Sequence, residues 1–384
     1  MAEDWQQGGF GLYIHWPFCE AKCPYCDFNS HVSRRIDQTA WRDAYLAELQ
    51  RAADETPGRV LNAVFFGGGT PSLMDPDVVA DIIAAIRRHW PTANDLEITL
   101  EANPGSVEAG RFTAYRQAGV SRVSMGIQAL NDPDLKRLGR LHSAKEALTA
   151  FDIARNTFER VSFDLIYGRQ DQTAAQWEAE LKQALSLAID HISLYQLTIE
   201  QGTAFGDRYA RGKLRGLPDE DLGADMFTLT QDICNDMGMP AYEVSNHARD
   251  GAQSRHNLIY WHYGDYIGIG PGAHGRLTLG GQKLATVAYS NPQRWLDGVA
   301  NGQAEKPRAA ISRSEQATEF LLMGLRLKEG VDLARYVEIA GQEIDEKAVD
   351  HLQDIGMANR DADRLIVSDQ GVIVLNAVIE ALLP

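Results

Sequence analysis

The alternation of short apolar runs with longer amphipathic runs constrains the fold of this 384-residue chain more than any other feature. Runs rich in β-branched and aromatic residues are typical of strands, and the intervals between them carry apolar residues at helical spacing. Such strand–helix repetition favours an α/β fold with a parallel sheet and helices on its outside. The predicted strands are residues 12–15, 63–66, 97–101, 122–128, 161–166 and 191–198.

The number of repeats narrows the choice among α/β folds. Six strand–helix units are too few for the common closed barrel of eight strands. We therefore predict a partial (β/α)6 barrel that two later apolar runs, 241–245 and 266–269, extend or close.

The last part of the chain has a different pattern. Three helical segments precede two short apolar runs, which a turn sequence separates as in a hairpin. This order predicts a winged-helix-like domain, and the absence of a basic helix favours a docking or lid role over DNA binding. The predicted elements are helices at 313–327, 333–340 and 346–355, and a hairpin of 365–367 with 372–374. We divide the chain into a core at 1–285, a linker at 286–310 and this C-terminal domain at 311–384.

Charge and hydropathy exclude several classes of protein. A net charge of −16 argues against a basic surface for nucleic acid, so we expect no nucleic-acid partner. No apolar run approaches the ~20 residues that a membrane span needs. Residues 1–9 are polar and acidic and lack the layout of a signal peptide. We expect a cytoplasmic protein that reaches a membrane only peripherally, through its partners.

Three of the four cysteines, Cys19, Cys23 and Cys26, lie in a C-x3-C-x2-C segment directly after the first predicted strand. Thiolates are ligands for iron–sulfur clusters and zinc, and sites held by protein alone use four ligands. Three thiolates on a four-iron cube leave one iron open to another ligand. The segment therefore predicts a [4Fe–4S] cluster with an open iron. Cys234 lies in a helical pattern and is predicted to be a buried core thiol.

Two other interpretations of the segment remain. Cys23 and Cys26 in Cys-Pro-Tyr-Cys match a dithiol redox pair, which leaves Cys19 without a role. Zinc with a nearby histidine, such as His15 or His31, is the second. Both are less favoured than the cluster.

The cysteine segment and the loops after the other strands resemble the radical S-adenosylmethionine (SAM) superfamily. The resemblance covers about residues 10–380 and rests on the cysteines, the glycine-rich run at 67–71, and the runs at 126–128 and 164–168. Within the superfamily, these runs are similar to the group of oxygen-independent coproporphyrinogen III oxidases and heme chaperones. The resemblance implies a radical SAM barrel, a [4Fe–4S] cluster and SAM on the open iron.

The resemblance also implies which residues contact SAM. Active groups of parallel barrels gather at the carboxyl ends of the strands, where glycines allow a close approach and offer backbone N–H groups. The residues that match the pattern are Tyr13, Tyr25, Gly68, Gly69, Thr70, Glu101, Gln128, Arg140 and Asp164, with Gln196 and His274 aligned less securely.

Two departures separate this chain from the oxidases of the group. The oxidases carry a fourth cysteine two residues after the third, where this chain has Phe28. They also carry a longer segment before the first strand. Both features favour a chaperone.

The run that contains His256, Asn257, Tyr260 and Trp261 resembles a motif of the chaperones. A neutral imidazole is a common ligand of heme iron, and aromatic rings pack on porphyrin faces. A histidine buried beside core aromatics is the competing interpretation. Three neighbouring histidines are rivals for the same role: His247, His262 and His274.

The expected function is a heme chaperone that passes heme to acceptor proteins, such as those of the respiratory chain. The expected partners are heme, these acceptors and a second copy of the chain. The alternative is a radical SAM oxidoreductase of the coproporphyrinogen III oxidase type, with a thiol oxidoreductase third. Whether the chain is an enzyme stays open, no catalytic residue is assigned, and the oxidase activity is not expected.

Overall fold

A computed structural model describes residues 4–33 and 35–383. The strands are β1 Phe10–Trp16, β2 Phe18–Cys19, β3 His31–Val32, β4 Leu61–Gly68, β5 Thr92–Ala102, β6 Arg122–Gln128, β7 Arg160–Tyr167, β8 His191–Gln196, β9 Asn246–Ala248, β10 Asp265–Ile269, β11 His274–Leu279, β12 Gln282–Val287, β13 Ala309–Ala310, β14 Val331–Asp332, β15 Ala358–Asp361 and β16 Arg364–Val367. The helices are α1 Asp4–Gly8, α2 Gln38–Glu55, α3 Pro76–His89, α4 Ala109–Ala118, α5 Asp132–Arg137, α6 Ala144–Thr157, α7 Ala174–Leu187, α8 Ala204–Ala210, α9 Glu220–Asp236, α10 Arg255–Trp261, α11 Pro292–Ala300, α12 Arg313–Gly324, α13 Leu333–Ala340, α14 Glu346–Asp354, α15 Asp369–Ile373 and α16 Leu375–Leu382.

The main sheet has the order β13-β12-β11-β10-β1-β4-β5-β6-β7-β8-β9. The stretch from β10 to β8 is parallel throughout, and the remaining strands add to it antiparallel. All six predicted strands are present as β1, β4, β5, β6, β7 and β8, so the predicted α/β partial barrel is confirmed. The run at 266–269 lies in β10 and extends the barrel beside β1, whereas 241–245 precedes the short strand β9.

The centre of the sheet is buried on both faces. In β1, the alternate residues Phe10, Leu12, Ile14 and Trp16 on one face are fully buried. Gly11 and His15 on the other face are buried as well, as expected for a parallel strand that is covered on both sides. The helices carry the apolar faces that cover it, and several begin at strong caps. In α6, for example, Ser143 and Glu146 form a capping box.

The segment 286–310, predicted as a linker, folds against the core. It contains α11 and β13, and β13 pairs with β12 in the main sheet. Trp295 of α11 is buried and stacks on Trp41 of α2 with ring centroids 5.5 Å apart. The linker description is therefore wrong for this segment, and the domain boundaries themselves stay a prediction.

The C-terminal part contains α12 to α16 around a small sheet of the order β14-β16-β15. A second cluster of buried residues, including Phe320, Leu321 and Leu365, forms its core. The predicted hairpin of 365–367 with 372–374 is wrong, because the first run pairs instead with β15. The second run falls in and after α15, since the Ser368 side chain accepts a hydrogen bond from the backbone N–H of Gly371 and caps that helix.

A buried group of charges joins the strands at one edge of the barrel. Asp265, at the start of β10, pairs with Arg59 at 2.6 Å and with Lys283 of β12 at 3.1 Å. The backbone N–H of Thr278 in β11 donates to the same carboxylate at 2.6 Å. This carboxylate therefore connects three neighbouring strands and the chain before β4.

None of the helices in the described ranges is both long and apolar enough to cross a membrane.

Candidate functional site

A cavity of about 140 Å³ lies where the carboxyl ends of the parallel strands meet. Cys19 is in β2, and Cys23 and Cys26 are in the loop that follows. All three thiols line the cavity and none is in a disulfide. The predicted co-localisation of the three cysteines at this end of the barrel is therefore seen in the fold.

Hydrogen-bond donors surround the three thiols. The Thr70 hydroxyl donates to Cys19 Sγ at 3.5 Å, and the Arg140 guanidinium donates to Cys23 Sγ at 3.4 Å. Burial raises the pKa of Cys19 and Cys26, so their thiolates need positive charge beside them. Iron supplies such charge, and the donor set fits an iron–sulfur cluster.

The thiols do not form a site for a single ion. Across residues 4–33 and 35–383, no group of three histidine, cysteine or carboxylate side chains converges as single-ion ligands. The three cysteines instead line the wall of one cavity, which suits a larger group with several irons.

The glycine-rich loop after β4 forms the second wall of the cavity. A Cβ atom on Gly69 would lie 2.6 Å from the backbone oxygen of Phe18, and one on Gly68 would lie 2.6 Å from the His15 ring. Gly68 also has φ +108°, which favours glycine. The backbone N–H of Thr70 donates to the Phe18 oxygen at 2.8 Å, so this close approach places the Thr70 hydroxyl on Cys19.

Gly69→Ala is expected to push this loop away from β2. Because the clash is with backbone, we expect a loss of about 1–3 kcal/mol in the free energy of unfolding, together with a lower iron content. Urea denaturation and iron analysis measure both. Gly110→Ala, at an open helical position in α4, is the control and should be neutral or stabilising by up to ~1 kcal/mol. Equal stability and iron content in the two variants would show that the close approach has no role.

Two carboxyl groups enter the cavity, that of Glu101 from the end of β5 and that of Asp164 from the middle of β7. Burial and the nearby Asp164 charge raise the pKa of Glu101 to about 8, although the Gly68 backbone N–H donates to Glu101. Burial raises the pKa of Asp164 to about 6, and hydrogen bonds from Ser193 and Ser124 oppose this rise. The pair therefore offers both proton-donating and accepting oxygens to the hydroxyl or ammonium groups of a ligand.

Wild-type protein is expected to lose free energy of unfolding as the pH rises toward about 8, because Glu101 ionises, and Glu101→Gln is expected to remove this loss. Between its ordinary pKa of 4.5 and its folded pKa of about 8, the folded chain keeps a proton on Glu101 that the unfolded chain releases. The stability from Glu101 is therefore complete below 4.5 and is lost as the pH rises through about 8. Urea denaturation of cluster-free protein at about pH 6 and about pH 8.5 should show the variant gaining on wild type at the higher pH. Glu108→Gln, at an exposed position, should show no such gain; parallel pH slopes for Glu101→Gln and wild type would refute the prediction.

The end of β6 is strained where it meets the cavity. Gln128 has φ 74°, which is rare for a residue with a side chain, and the pairing with β7 shifts register between Met125 and Gln128. Arg140 Nη2 donates to the Gly126 backbone oxygen at 2.7 Å, which holds this guanidinium at the site. Backbone strain of this kind persists only where the surrounding fold imposes it, and it is common at ligand sites.

The chain matches known proteins over almost its whole length. Residues 13–184 match the model of the Radical SAM superfamily, and residues 311–374 match the model of the HemN C-terminal domain. The chain is 38% identical to the Bos taurus protein "Radical S-adenosyl methionine domain-containing protein 1, mitochondrial", over 97% of this chain and 87% of that protein. It is 36% identical to "Heme chaperone HemW" of Escherichia coli K12, over 97% of both chains. The chain belongs to the radical SAM superfamily.

A solved structure shares this radical SAM fold. Coproporphyrinogen III oxidase (HemN) from Escherichia coli superimposes with a TM-score of 0.80, over 97% of this chain and 89% of that one, at 21% identity. The resemblance stated from the sequence is thus confirmed. Membership of the superfamily implies a [4Fe–4S] cluster and SAM, and the three thiols of the cavity fit the cluster.

The cavity that the three thiols line, which we call the cluster cavity, brings together most of the residues predicted to contact SAM. Tyr13 instead lines two neighbouring cavities, an inner chamber of about 220 Å³ and a larger cavity of about 710 Å³. His274 lines the larger cavity. Gln196, the last residue of β8, lines none of these three cavities. The SAM roles of all these residues stay predictions. The residues that line the cavity with the cysteines are Tyr25, Gly68, Gly69, Thr70, Glu101, Gln128, Arg140 and Asp164.

An inner chamber of about 220 Å³ adjoins this cavity inside the barrel. Arg122 and Ser124 of β6 line it, and both were missed as site residues. Their signal is the alternation of this strand, in which Arg122 and Ser124 share the parity of Gln128 while Val123, Met125 and Ile127 fall between. The inner chamber therefore has a polar floor beneath the residues predicted to contact SAM.

His256 lies in the wall of the inner chamber. Its ring stacks on Phe65 at 4.6 Å and contacts Tyr260 edge-on at 4.5 Å. Neither of its nitrogens bonds to a described residue, and burial lowers its pKa to about 3, so the imidazole is neutral. Asn257 lines the same chamber, and its amide donates to the Tyr242 hydroxyl at 3.4 Å.

A larger cavity of about 710 Å³ lies between the β10–β12 edge of the barrel and α12. Tyr260 lines both this cavity and the inner chamber, Trp261 lines the large cavity, and Phe28 lines all three cavities. The rival histidines differ in position: His274 lines the large cavity, whereas His247 is buried elsewhere and His262 bonds to Glu329 at 2.8 Å.

Proposed function

We propose that this radical SAM protein is a heme chaperone, which binds heme and passes it to acceptor proteins such as those of the respiratory chain. The observation that carries the proposal is the 36% identity, over 97% of both chains, to a protein named as a heme chaperone. Likeness over the full length includes the C-terminal part, so it extends beyond the cluster-binding barrel.

The geometry supports this proposal. The cavity of about 710 Å³ falls within the range of ~300–1,000 Å³ that is typical of ligand pockets. Six Phe, Trp and Tyr side chains line it, and it lies next to the cysteine loop, because Phe28 lines it as well as the cluster cavity. A flat apolar ligand such as a porphyrin packs well against walls of this kind.

The oxidase alternative has weaker support. The likeness to the E. coli oxidase at 21% identity shows a shared fold and does not extend to its activity. Phe28 occupies the place of the fourth cysteine of the oxidases, and its side chain is 59% exposed at the mouth of the cluster cavity. This residue supplies an apolar face where the oxidases place a thiol.

The residues of the cluster cavity have a supporting role in this proposal. When bound, a [4Fe–4S] cluster offers an iron to the amino and carboxylate groups of SAM. Thr70 and Arg140 hold the thiols of Cys19 and Cys23, while Glu101 and Asp164 present oxygens to the rest of SAM. We propose that binding of the cluster and of SAM controls when heme is released.

Absorbance titration tests the proposal. Purified protein with a reconstituted cluster should bind one equivalent of hemin saturably, and it should form no vinyl product from coproporphyrinogen III with SAM and a reductant. Absence of saturable heme binding would overturn the chaperone assignment. Formation of the vinyl product would favour the oxidase.

The remaining expectations about partners and location stay predictions. They are a homodimer, a cytoplasmic location and a peripheral contact with membrane-bound acceptors. The net charge of −16 favours an acceptor surface with basic residues, because opposite charges steer association.

A further inference from the structure

The three adjoining cavities differ in the size of ligand that they admit. The cluster cavity has about 140 Å³, and the inner chamber that adjoins it has about 220 Å³. The large cavity has about 710 Å³. Of these three, it alone has room for a group as large as a porphyrin.

The walls of the large cavity offer flat apolar surfaces. Tyr260 and Tyr266 meet edge-on with ring centroids 4.4 Å apart, and Trp261 and Phe28 add two more rings. Aromatic rings bury large areas against a planar ligand. The walls therefore suit a porphyrin face.

Two histidines line the large cavity, and only one has a ring available to iron. His15 is buried, and its ring nitrogens contact the Tyr13 hydroxyl at 3.0 Å and the Asn29 backbone oxygen at 2.9 Å. His274, in β11, is exposed to the cavity, and no described residue hydrogen-bonds its ring. Partial burial and the charges of Arg276 and Lys306 lower the pKa of His274. A neutral imidazole is a common ligand of heme iron.

His256 is placed less well for the same task. It is only 2% exposed, and its ring faces the inner chamber between Phe65 and Tyr260. His256 is not among the residues that line the large cavity, so a porphyrin held there would not contact its ring. A structural role for His256 in the wall of the inner chamber agrees with this position.

The charges at the rim of the large cavity match the ends of heme. Lys306 is exposed there, and it forms no ion pair with a described carboxylate. Arg276 is already bonded to Glu319, with Nη2 and Oε1 2.8 Å apart, so it is less available. Heme propionates are anionic, and a surface ammonium group is a suitable partner for them.

We propose that heme occupies the large cavity with His274 as an iron ligand and with its propionates toward Lys306. This proposal rests on the proposed chaperone function and names the site at which the cargo is held. It places the porphyrin on the other side of Phe28 from the cluster, since that ring lines both cavities.

Hemin titration of the full-length protein with a reconstituted cluster tests the site. His274→Ala should weaken heme binding by about tenfold or more and change the Soret and electron paramagnetic resonance spectra, because a ligand of the iron is lost. Lys306→Ala should weaken binding by a few-fold without changing the spectra. His351→Ala and Lys182→Ala are matched controls at exposed positions on α14 and α7, and both should bind as wild type.

The rival ligand is tested in parallel with His256→Gln, with iron content and circular dichroism as checks of folding. His256→Gln should keep the wild-type heme spectra. Wild-type affinity and spectra in His274→Ala would overturn the site, as would loss of the spectra in a folded His256→Gln. If wild type itself binds no heme, the chaperone function fails and the site with it.

Discussion

Replacing Cys19, Cys23 or Cys26 with alanine is expected to abolish the cluster in each case. The three thiols line one cavity, and each would hold one iron of a four-iron cube. Loss of one ligand leaves only two, while the Thr70 and Arg140 donors cannot take the place of a thiolate. Anaerobic reconstitution followed by iron and sulfide analysis should give about four irons per chain for wild type and nearly none for each variant.

Cys234 provides the matched control. It is fully buried in the core on α9, as predicted, and burial raises its pKa to about 12, so it stays a thiol. Cys234→Ala should keep the full iron content and the broad absorbance of the cluster. Full iron content in any of the three other variants would refute the assignment of that cysteine.

Asp265→Ala is expected to have the largest effect on stability. Its carboxylate is fully buried and shared by Arg59 and Lys283, and it accepts a backbone hydrogen bond from Thr278. Removing it leaves two buried cations without that carboxylate, which costs about 3–5 kcal/mol. Urea denaturation measures the change in the free energy of unfolding.

Two variants make the Asp265 experiment specific. Asp265→Asn keeps a hydrogen-bond acceptor without the charge, so it should lose stability by an intermediate amount. Asp152→Ala removes an exposed partner of Arg155 and should cost less than ~1 kcal/mol. A cost for Asp265→Ala as small as that of the surface variant would contradict the structural role of the buried carboxylate. Because β10 to β12 form a wall of the large cavity, Asp265→Ala should also weaken heme binding.

The barrel was predictable because its signal is local and repeated. Each of the six predicted strands is a short apolar run, and the parallel sheet buries such runs on both faces. The short strands β2 and β3 lack this signal, since they have two residues each. The C-terminal hairpin was misplaced for a similar reason, because the cap formed by Ser368 decided between strand and helix.

The cluster cavity was predictable from residues at the carboxyl ends of strands, whereas the large cavity was not. The parallel sheet brings these ends together, so Glu101 and Asp164 meet although they are far apart in the sequence. The large cavity depends on how β11, β12 and α12 pack against β10, which no local pattern encodes. His274 could therefore be aligned with the SAM residues although it lines a different cavity.

Heme transfer in the presence of a trap for free heme is the decisive measurement for the chaperone function. Protein loaded with one equivalent of heme is repurified and mixed with a heme-free respiratory acceptor and an excess of apomyoglobin. We expect the acceptor to gain its heme spectrum while apomyoglobin gains little, because a chaperone passes heme directly to its acceptor. Recovery of all the heme on apomyoglobin, with none on the acceptor, would contradict the chaperone function.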